Sequence, residues 1–235
     1  MSLLQNANTP LDGGPIYAET NLDTIIAEPW NALSSLFYLL PAIYWFFKLK
    51  GKYGSYPFLT FSIPLLLLGG IGSTLYHAFR SSQVLLIMDV LPITILTLAV
   101  GIFFWTKVFD HWWKAIFGIV IPVCILQFLI NRFIEAPLSI NINYFITGLN
   151  IFIPLIILLK RTDYEKAGVV YLAILFFSVG LAFRELDAFL ANYIAMGTHF
   201  LWHAFTAFGA FFIADYIYFY RSYIILKKQE TKRSA

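Results

Sequence analysis

The amino-acid sequence predicts an all-α membrane protein built as a bundle of seven transmembrane helices. Three observations support this fold class. Of the 235 residues, 60% are hydrophobic and only 12% are charged, and the mean hydropathy is +0.75. A water-soluble domain has about 45–50% apolar and about 25% charged residues. The third observation is that seven apolar stretches are long enough to cross a bilayer, which takes about 20 residues.

Short polar breaks separate these stretches, and the chain has no linker long enough to divide the bundle. The first 29 residues contain no Lys or Arg. A secretory signal has a basic start, so we expect the first apolar run to remain as helix one. Residues 1–29 form an acidic N-terminal segment, 30–226 form the catalytic bundle, and 227–235 form a basic tail. We place the spans at residues 30–48, 56–79, 83–105, 112–131, 140–159, 167–188 and 199–226.

The basic residues predict the orientation of the bundle. Thirteen of the sixteen lie in the loops after helices one, three and five and at the C-terminal end, whereas Arg80, Arg132 and Arg184 lie on the other side. The positive-inside rule therefore places the C-terminus in the cytoplasm and the N-terminus outside or in a lumen. The small net charge of +3 and the scattered bases argue against a nucleic-acid partner. Nothing in the sequence indicates an oligomeric state.

Five polar side chains lie inside the predicted spans at the outer or lumenal face. Ionisable groups in hydrocarbon are costly and normally face the interior of a bundle. Residues four apart share a helix face, so two imidazoles of helix seven can point at one ion. Three neutral imidazoles with a fourth position for water are the ligands of a catalytic zinc site. The five residues are Ser73 and His77 on helix two, Asp89 on helix three, and His199 and His203 on helix seven.

Other residues are less informative. A lone histidine in a membrane more often forms a hydrogen bond between helices than it binds a metal, so it is the shared depth of the three that favours zinc. Cys124 is the single cysteine, which excludes an internal disulfide framework and a multi-cysteine metal site. Arg184, Glu185 and Asp187 lie in the same layer, where we expect either contact with a polar headgroup or an interfacial ion pair.

Three motifs resemble those of the alkaline ceramidase family. They are ETNLDTIIAEPWNALSS near the N-terminus, GIGSTLYHAF followed by MDVLP, and HFLWHAF in the last helix. This family belongs to a superfamily of seven-helix membrane hydrolases and receptors. The resemblance implies zinc on His77, His199 and His203, with Ser73 and Asp89 as catalytic residues. It also implies hydrolysis of a sphingolipid amide to a fatty acid and a sphingoid base.

The resemblance further implies a calcium ion beside the zinc. Ile16 stands where the family has its first acidic ligand, and Asp23 is a candidate to replace it. Calcium binds six to eight oxygen atoms. The alternative interpretation is an ordinary solvated acidic segment. The other implied ligands are the Tyr17 carbonyl and the side chains of Glu19, Asn21 and Glu28.

The implied mechanism uses Asp89 to take a proton from a zinc-activated water and return it to the leaving amine, while Ser73 donates to the oxyanion. A membrane lipid as substrate explains a site near the outer or lumenal leaflet. Three alternatives stay open: a phospholipid acyl-ester hydrolase, a zinc-containing receptor of the same superfamily, and a haem-binding membrane protein with His77 as one axial ligand.

Overall fold

The structure, a computed structural model, describes residues 10–233, with side chains described for residues 10–226. Throughout this range the regular secondary structure is helical. The first nine residues of the acidic segment and the side chains of the basic tail, 227–235, lie outside the described part. The helices are α1 (Pro29–Ser35), α2 (Leu39–Lys48), α3 (Pro57–Phe79), α4 (Gln83–Phe109), α5 (Trp112–Ala115), α6 (Ile121–Phe133), α7 (Leu138–Arg161), α8 (Ala167–Leu190) and α9 (His199–Arg233).

Six helical segments of the described chain are long and apolar enough to cross a membrane, so the protein is an integral multi-pass membrane protein. They coincide with predicted spans two to seven, and their ends differ by a few residues. Among these six segments, the end that differs most from its predicted position is that of α4, which continues to Phe109 rather than ending at residue 105. The six segments are Pro57–Phe79, Gln83–Phe109, Trp112–Phe133, Leu138–Arg161, Ala167–Leu190 and His199–Leu226.

The first predicted span, residues 30–48, is helical throughout but is not one uninterrupted α-helix. A 3₁₀ turn at Leu36–Tyr38 separates α1 from α2. Pro41 lies near this turn and has no N–H group to donate to the carbonyl of Phe37, four residues earlier. Pro64, Pro92 and Pro154 lie inside continuous helices, so a missing N–H group does not by itself interrupt a helix in this bundle.

Helix packing divides the bundle into an apolar half and a polar end. Buried side chains of α2, α3, α4, α7, α8 and α9 form the apolar core, which includes Leu49, Phe104, Leu155 and Tyr216. α1 packs against α3 and α9, and α8 packs along α9. These contacts bring the last turn of α3, the first turns of α9 and the N-terminal segment together at the other end.

The outer surface of the helices is apolar. Within α6, which is described throughout, no residue is buried although most are hydrophobic. Phe128 and Phe133 are among its exposed side chains. Such a surface is stable only against lipid or another apolar partner.

Candidate metal centre

The last two turns of α3 carry the first pair of predicted site residues. Ser73 and His77 lie one turn apart on this helix and are both buried. α3 ends at Phe79, because Arg80 adopts a left-handed conformation with φ of 47°. His77 is therefore held in the final turn of a helix and faces the interior.

The second pair lies at the start of α9, and a carboxylate fixes that start. Asp187 Oδ1 accepts hydrogen bonds from the backbone N–H groups of Thr198 (2.7 Å) and His199 (2.8 Å). The first N–H groups of a helix have no partner within it, so an acidic side chain at this position stabilises the helix end. Of the two alternatives for Asp187, the ion pair is not found among the described side chains, where this buried carboxylate caps a helix. Contact with a headgroup stays a prediction.

Three imidazoles meet between these helices. His77, His199 and His203 are buried, and one ligand atom of each lies within 4.8 Å of those of the other two. Their ring centroids are 4.7–5.4 Å apart. The sequence-based prediction that the second and seventh spans bring these histidines together is confirmed, and the group is able to hold a metal ion.

A buried carboxylate sets the proton on His77. Glu28 Oε2 is hydrogen-bonded to His77 Nδ1, and because an ionised carboxylate only accepts, Nδ1 carries the proton and Nε2 is free to bind a metal. Burial alone raises the pKa of Glu28, but the bond with His77 and the charge of Arg80 outweigh it and hold this pKa below its usual value. Glu28 is thus ionised at neutral pH.

His203 has a similar set of partners. Its Nδ1 lies 3.1 Å from the backbone carbonyl of Asn31, which can only accept. Two hydroxyls, of Ser34 and Ser35, lie 3.0 and 3.2 Å from the same nitrogen, and each has the Asn31 carbonyl as its own acceptor. The arrangement places the proton on Nδ1 and leaves Nε2 as the ligand atom. Metal-bound histidines usually have such partners on the second nitrogen.

Gly72 allows α4 to approach α3 closely beside the histidines. A Cβ on Gly72 of α3 would lie 2.1 Å from the carbonyl oxygen of Met88, so the backbones of α3 and α4 touch there. The Asp89 carboxyl is therefore placed beside the Ser73 hydroxyl and near His77. Asp89 is partly exposed, whereas Ser73 is buried and lies 2.9 Å from Ser35 Oγ.

Arg184 borders the centre without a carboxylate partner among the described side chains. Its Nη1 is 3.5 Å from His199 Nδ1, and its Nε donates to Asn141 Oδ1 at 3.2 Å. The guanidinium also lies over the ring of Tyr144, with 4.9 Å to the centroid. The interfacial ion pair, one of the two alternatives for Arg184, Glu185 and Asp187, is not found among the described side chains, and Glu185 instead accepts a hydrogen bond from Asn141.

The residues named for calcium have other partners. Both Glu19 oxygens accept from the first N–H groups of α1, at Trp30 (2.6 Å) and Asn31 (2.9 Å). Asn21 Oδ1 accepts from the backbone of Asp23 at 3.1 Å, and both residues are exposed. The Tyr17 carbonyl accepts from the backbone N–H of Thr20 at 3.1 Å, and the Tyr17 ring stacks on His199 with 3.8 Å between centroids. Glu28 contacts His77 and Arg80. The calcium ion implied by the resemblance stays a prediction.

Sequence reasoning missed several residues that surround the histidines. Arg80 was interpreted only as a base on the outer side, and Asp12 only as part of an acidic segment. Asn31, Ser34 and Ser35 belong to the N-terminal motif, but no role was predicted for them. The adjacent hydroxyls of Ser34 and Ser35 inside a predicted span were the available signal, because polar groups buried in a membrane protein need hydrogen-bond partners.

Comparison with known protein families identifies the chain. The family model described as Ceramidase matches residues 19–234. The chain belongs to the ceramidase family. The match includes α1 to α9 and all three histidines. No curated protein gives a significant match.

Proposed function

We propose that this ceramidase-family protein is a zinc-dependent hydrolase of the amide bond in a ceramide-like sphingolipid. One observation carries the proposal: three buried imidazoles converge, and two of them have Nδ1 bound to a carboxylate or a carbonyl. This is the donor set of zinc rather than of a hard cation such as magnesium.

His77, His199 and His203 would hold the zinc ion. When bound, zinc supplies Lewis-acid chemistry that activates water at neutral pH. Metal sites that perform hydrolysis need a nearby group that moves protons and a donor for the developing negative charge. We assign these two roles to Asp89 and Ser73.

In this proposal Asp89 accepts a proton from the attacking water and delivers it to the leaving amine. Ser73 donates a hydrogen bond to the oxygen of the scissile carbonyl as negative charge develops there. Without substrate, the Ser73 hydroxyl has the Asp89 carboxyl and Ser35 Oγ, at 2.9 Å, as its neighbours.

An apolar groove offers room for a lipid chain. It has a volume of about 300 Å³, lies between α2 and α9, and is lined by Phe37, Tyr44, Ala207 and Phe211 among others. Ala207 is one turn beyond His203 on α9. An acyl chain in this groove would leave its amide close to the histidines, which supports a lipid as the substrate.

We further propose that residues 29–48 cross the membrane as the first of seven spans, with the N-terminus and the metal centre toward the outer or lumenal side. The charge distribution supports this orientation, since thirteen bases lie on one side and three on the other. The break at Leu36–Tyr38 does not prevent a crossing, because α1, the 3₁₀ turn and α2 are continuous.

The substitution Asp89→Asn tests the reaction. Purified protein in detergent is incubated with ceramides and with glycerophospholipids, and released fatty acid is measured by mass spectrometry. We expect ceramide hydrolysis by the wild type and a fall of about 10²–10⁴-fold in Asp89→Asn, since the amide cannot take up the proton.

The zinc content, measured by elemental analysis, should be the same in both proteins. Asp215→Asn is the control, because Asp215 lies on α9 far along the helix from the histidines. Release of fatty acid from phospholipids alone would assign the ester alternative. Lack of hydrolysis of any lipid by zinc-loaded wild type would favour a receptor and refute the proposal.

A further inference from the structure

Arg80 is a buried cation at the junction of the N-terminal segment and α3. Its side chain is 2% exposed. Nε and Nη2 form a two-pronged pair with Asp12, at 2.8 and 3.1 Å. Nη1 donates to Glu28, and Nη2 also donates to the carbonyl of Pro15 at 2.9 Å. The guanidinium therefore gathers oxygen ligands from three points of the N-terminal segment.

The backbone of Arg80 and the packing around its guanidinium are both unusual. Arg80 has a positive φ, which is uncommon and unfavourable for a residue with a long side chain. The ring of Tyr76 lies below the guanidinium, with 4.7 Å to its centroid. Burying a charge in this way is costly unless it is fully paired. Arg80 meets that condition with two carboxylates.

The same carboxylates are not available to a calcium ion. Glu28 Oε1 contacts Arg80 and accepts from Thr20 at 2.6 Å, and Oε2 contacts His77. Glu19, the other carboxylate of the implied set, is used at the start of α1. Calcium needs six to eight oxygen atoms, and a guanidinium beside Glu28 would repel it.

We propose that Arg80 replaces the calcium ion of related proteins as a built-in cation, and that it positions His77 through Glu28. One guanidinium gathers Asp12, Glu28 and the Pro15 carbonyl, so the N-terminal segment is fixed against α3 without a metal. Glu28 then holds Nδ1 of His77, which orients Nε2 toward the other two imidazoles. Arg80 is a positioning residue, because it touches Glu28 and not the reacting atoms.

The first test measures the response to calcium. The protein is dialysed against a calcium-free buffer that contains excess zinc, and its unfolding temperature is followed as CaCl₂ is added. We expect no shift for the wild type. For Arg80→Met we expect an increase, because the two carboxylates are then left without their cation. A calcium-dependent increase in the wild type would overturn the proposal.

The second test measures zinc affinity by competition with a fluorescent chelator. Loss of a partner that orients a metal ligand typically lowers affinity about 10–100-fold, and we expect this for Arg80→Met. Arg80→Lys keeps the positive charge but not the two-pronged hydrogen bonding of the guanidinium, so its zinc affinity should lie between those of Arg80→Met and the wild type. The control is Arg132→Met, since Arg132 is an exposed base on the same side.

If Arg80→Met does not fold, Asp12→Asn provides a second test of the same proposal. Asp12→Asn removes one charge of the pair and keeps the shape, so it should lower zinc affinity in the same direction and by less. Unchanged zinc affinity in Arg80→Met, or in Asp12→Asn where the former does not fold, would refute the proposal. Neither readout needs catalysis, so this inference and the proposed reaction fail separately.

Discussion

The surroundings of Ser73 support the oxyanion role proposed for it. Its hydroxyl is buried, and its partner is Ser35 Oγ at 2.9 Å. Either hydroxyl can be the donor in this pair, and the Asp89 carboxyl beside Ser73 is a further acceptor for its proton. A donor that is already deprived of water exchanges its partner for an oxyanion with little reorganisation.

Ser73→Ala tests this role. We expect kcat to fall about 10²–10³-fold, equivalent to about 2.7–4 kcal/mol, with zinc content unchanged. Ser62→Ala is the matched control, since Ser62 lies on the same helix and donates to Phe58 at 2.8 Å. Steady-state kinetics with a soluble short-chain ceramide measures both. A Ser73→Ala protein with normal kcat would remove Ser73 from the mechanism.

The sequence could predict part of the centre at this scale. His199 and His203, like Ser73 and His77, have a four-residue spacing that places them on one helix face. Arg80 and Asp12 are 68 residues apart, and no spacing rule relates them. Their pairing depends on where the N-terminal segment lies, which is a tertiary property.

At the scale of elements, the start of α9 depends on a close contact. Gly197 has φ of +65°, and a Cβ there would lie 2.2 Å from Asp187 Oδ1, the atom that accepts from Thr198 and His199. Only glycine combines that backbone conformation with that space. The position of two candidate metal ligands, His199 and His203, thus depends on a residue without a side chain.

Gly197→Ala should disturb this start. We expect destabilisation of about 1–3 kcal/mol, from overpacking and backbone strain, together with a lower zinc-to-protein ratio because His199 moves. Thermal unfolding in detergent and elemental analysis measure the two effects. Gly168→Ala, near the start of α8 with open space around its Cβ position, should be neutral or slightly stabilising. Equal behaviour of the two variants would contradict this account.

Helix prediction succeeded where hydropathy decides the outcome and missed the 3₁₀ turn in the first span. Six segments follow directly from apolar length. The 3₁₀ turn in the first predicted span lies near Pro41. Proline at residues 64, 92 and 154 lies inside continuous helices, so the presence of a proline does not predict where a helix is interrupted.

At the scale of the whole molecule, the polar and apolar residues are separated by position. The metal centre lies at the end where α3 finishes and α9 begins, and the apolar core fills the other half. Exposed apolar side chains cover the outside, for example on α6. This division suits a site that meets a lipid near its polar headgroup.

The proposed first crossing is testable by chemical labelling. Cys124→Ser removes the single cysteine, and Asp23→Cys or Lys52→Cys is then added on either side of α1 and α2. A membrane-impermeant maleimide should reach Asp23→Cys and Lys52→Cys from opposite sides of the membrane, the former from the outer or lumenal side. Labelling of both from one side would show that residues 29–48 do not cross.

The two ends of the chain meet at the centre. The Ala18 backbone donates to Asp187 at 2.9 Å, and Ser34 lies 3.0 Å from Nδ1 of His203. During biogenesis the ribosome must release α9 before two of the three imidazoles exist in the membrane. If the proposed zinc is bound, its loading is consequently a late event in maturation, and a prematurely terminated chain lacks the proposed centre.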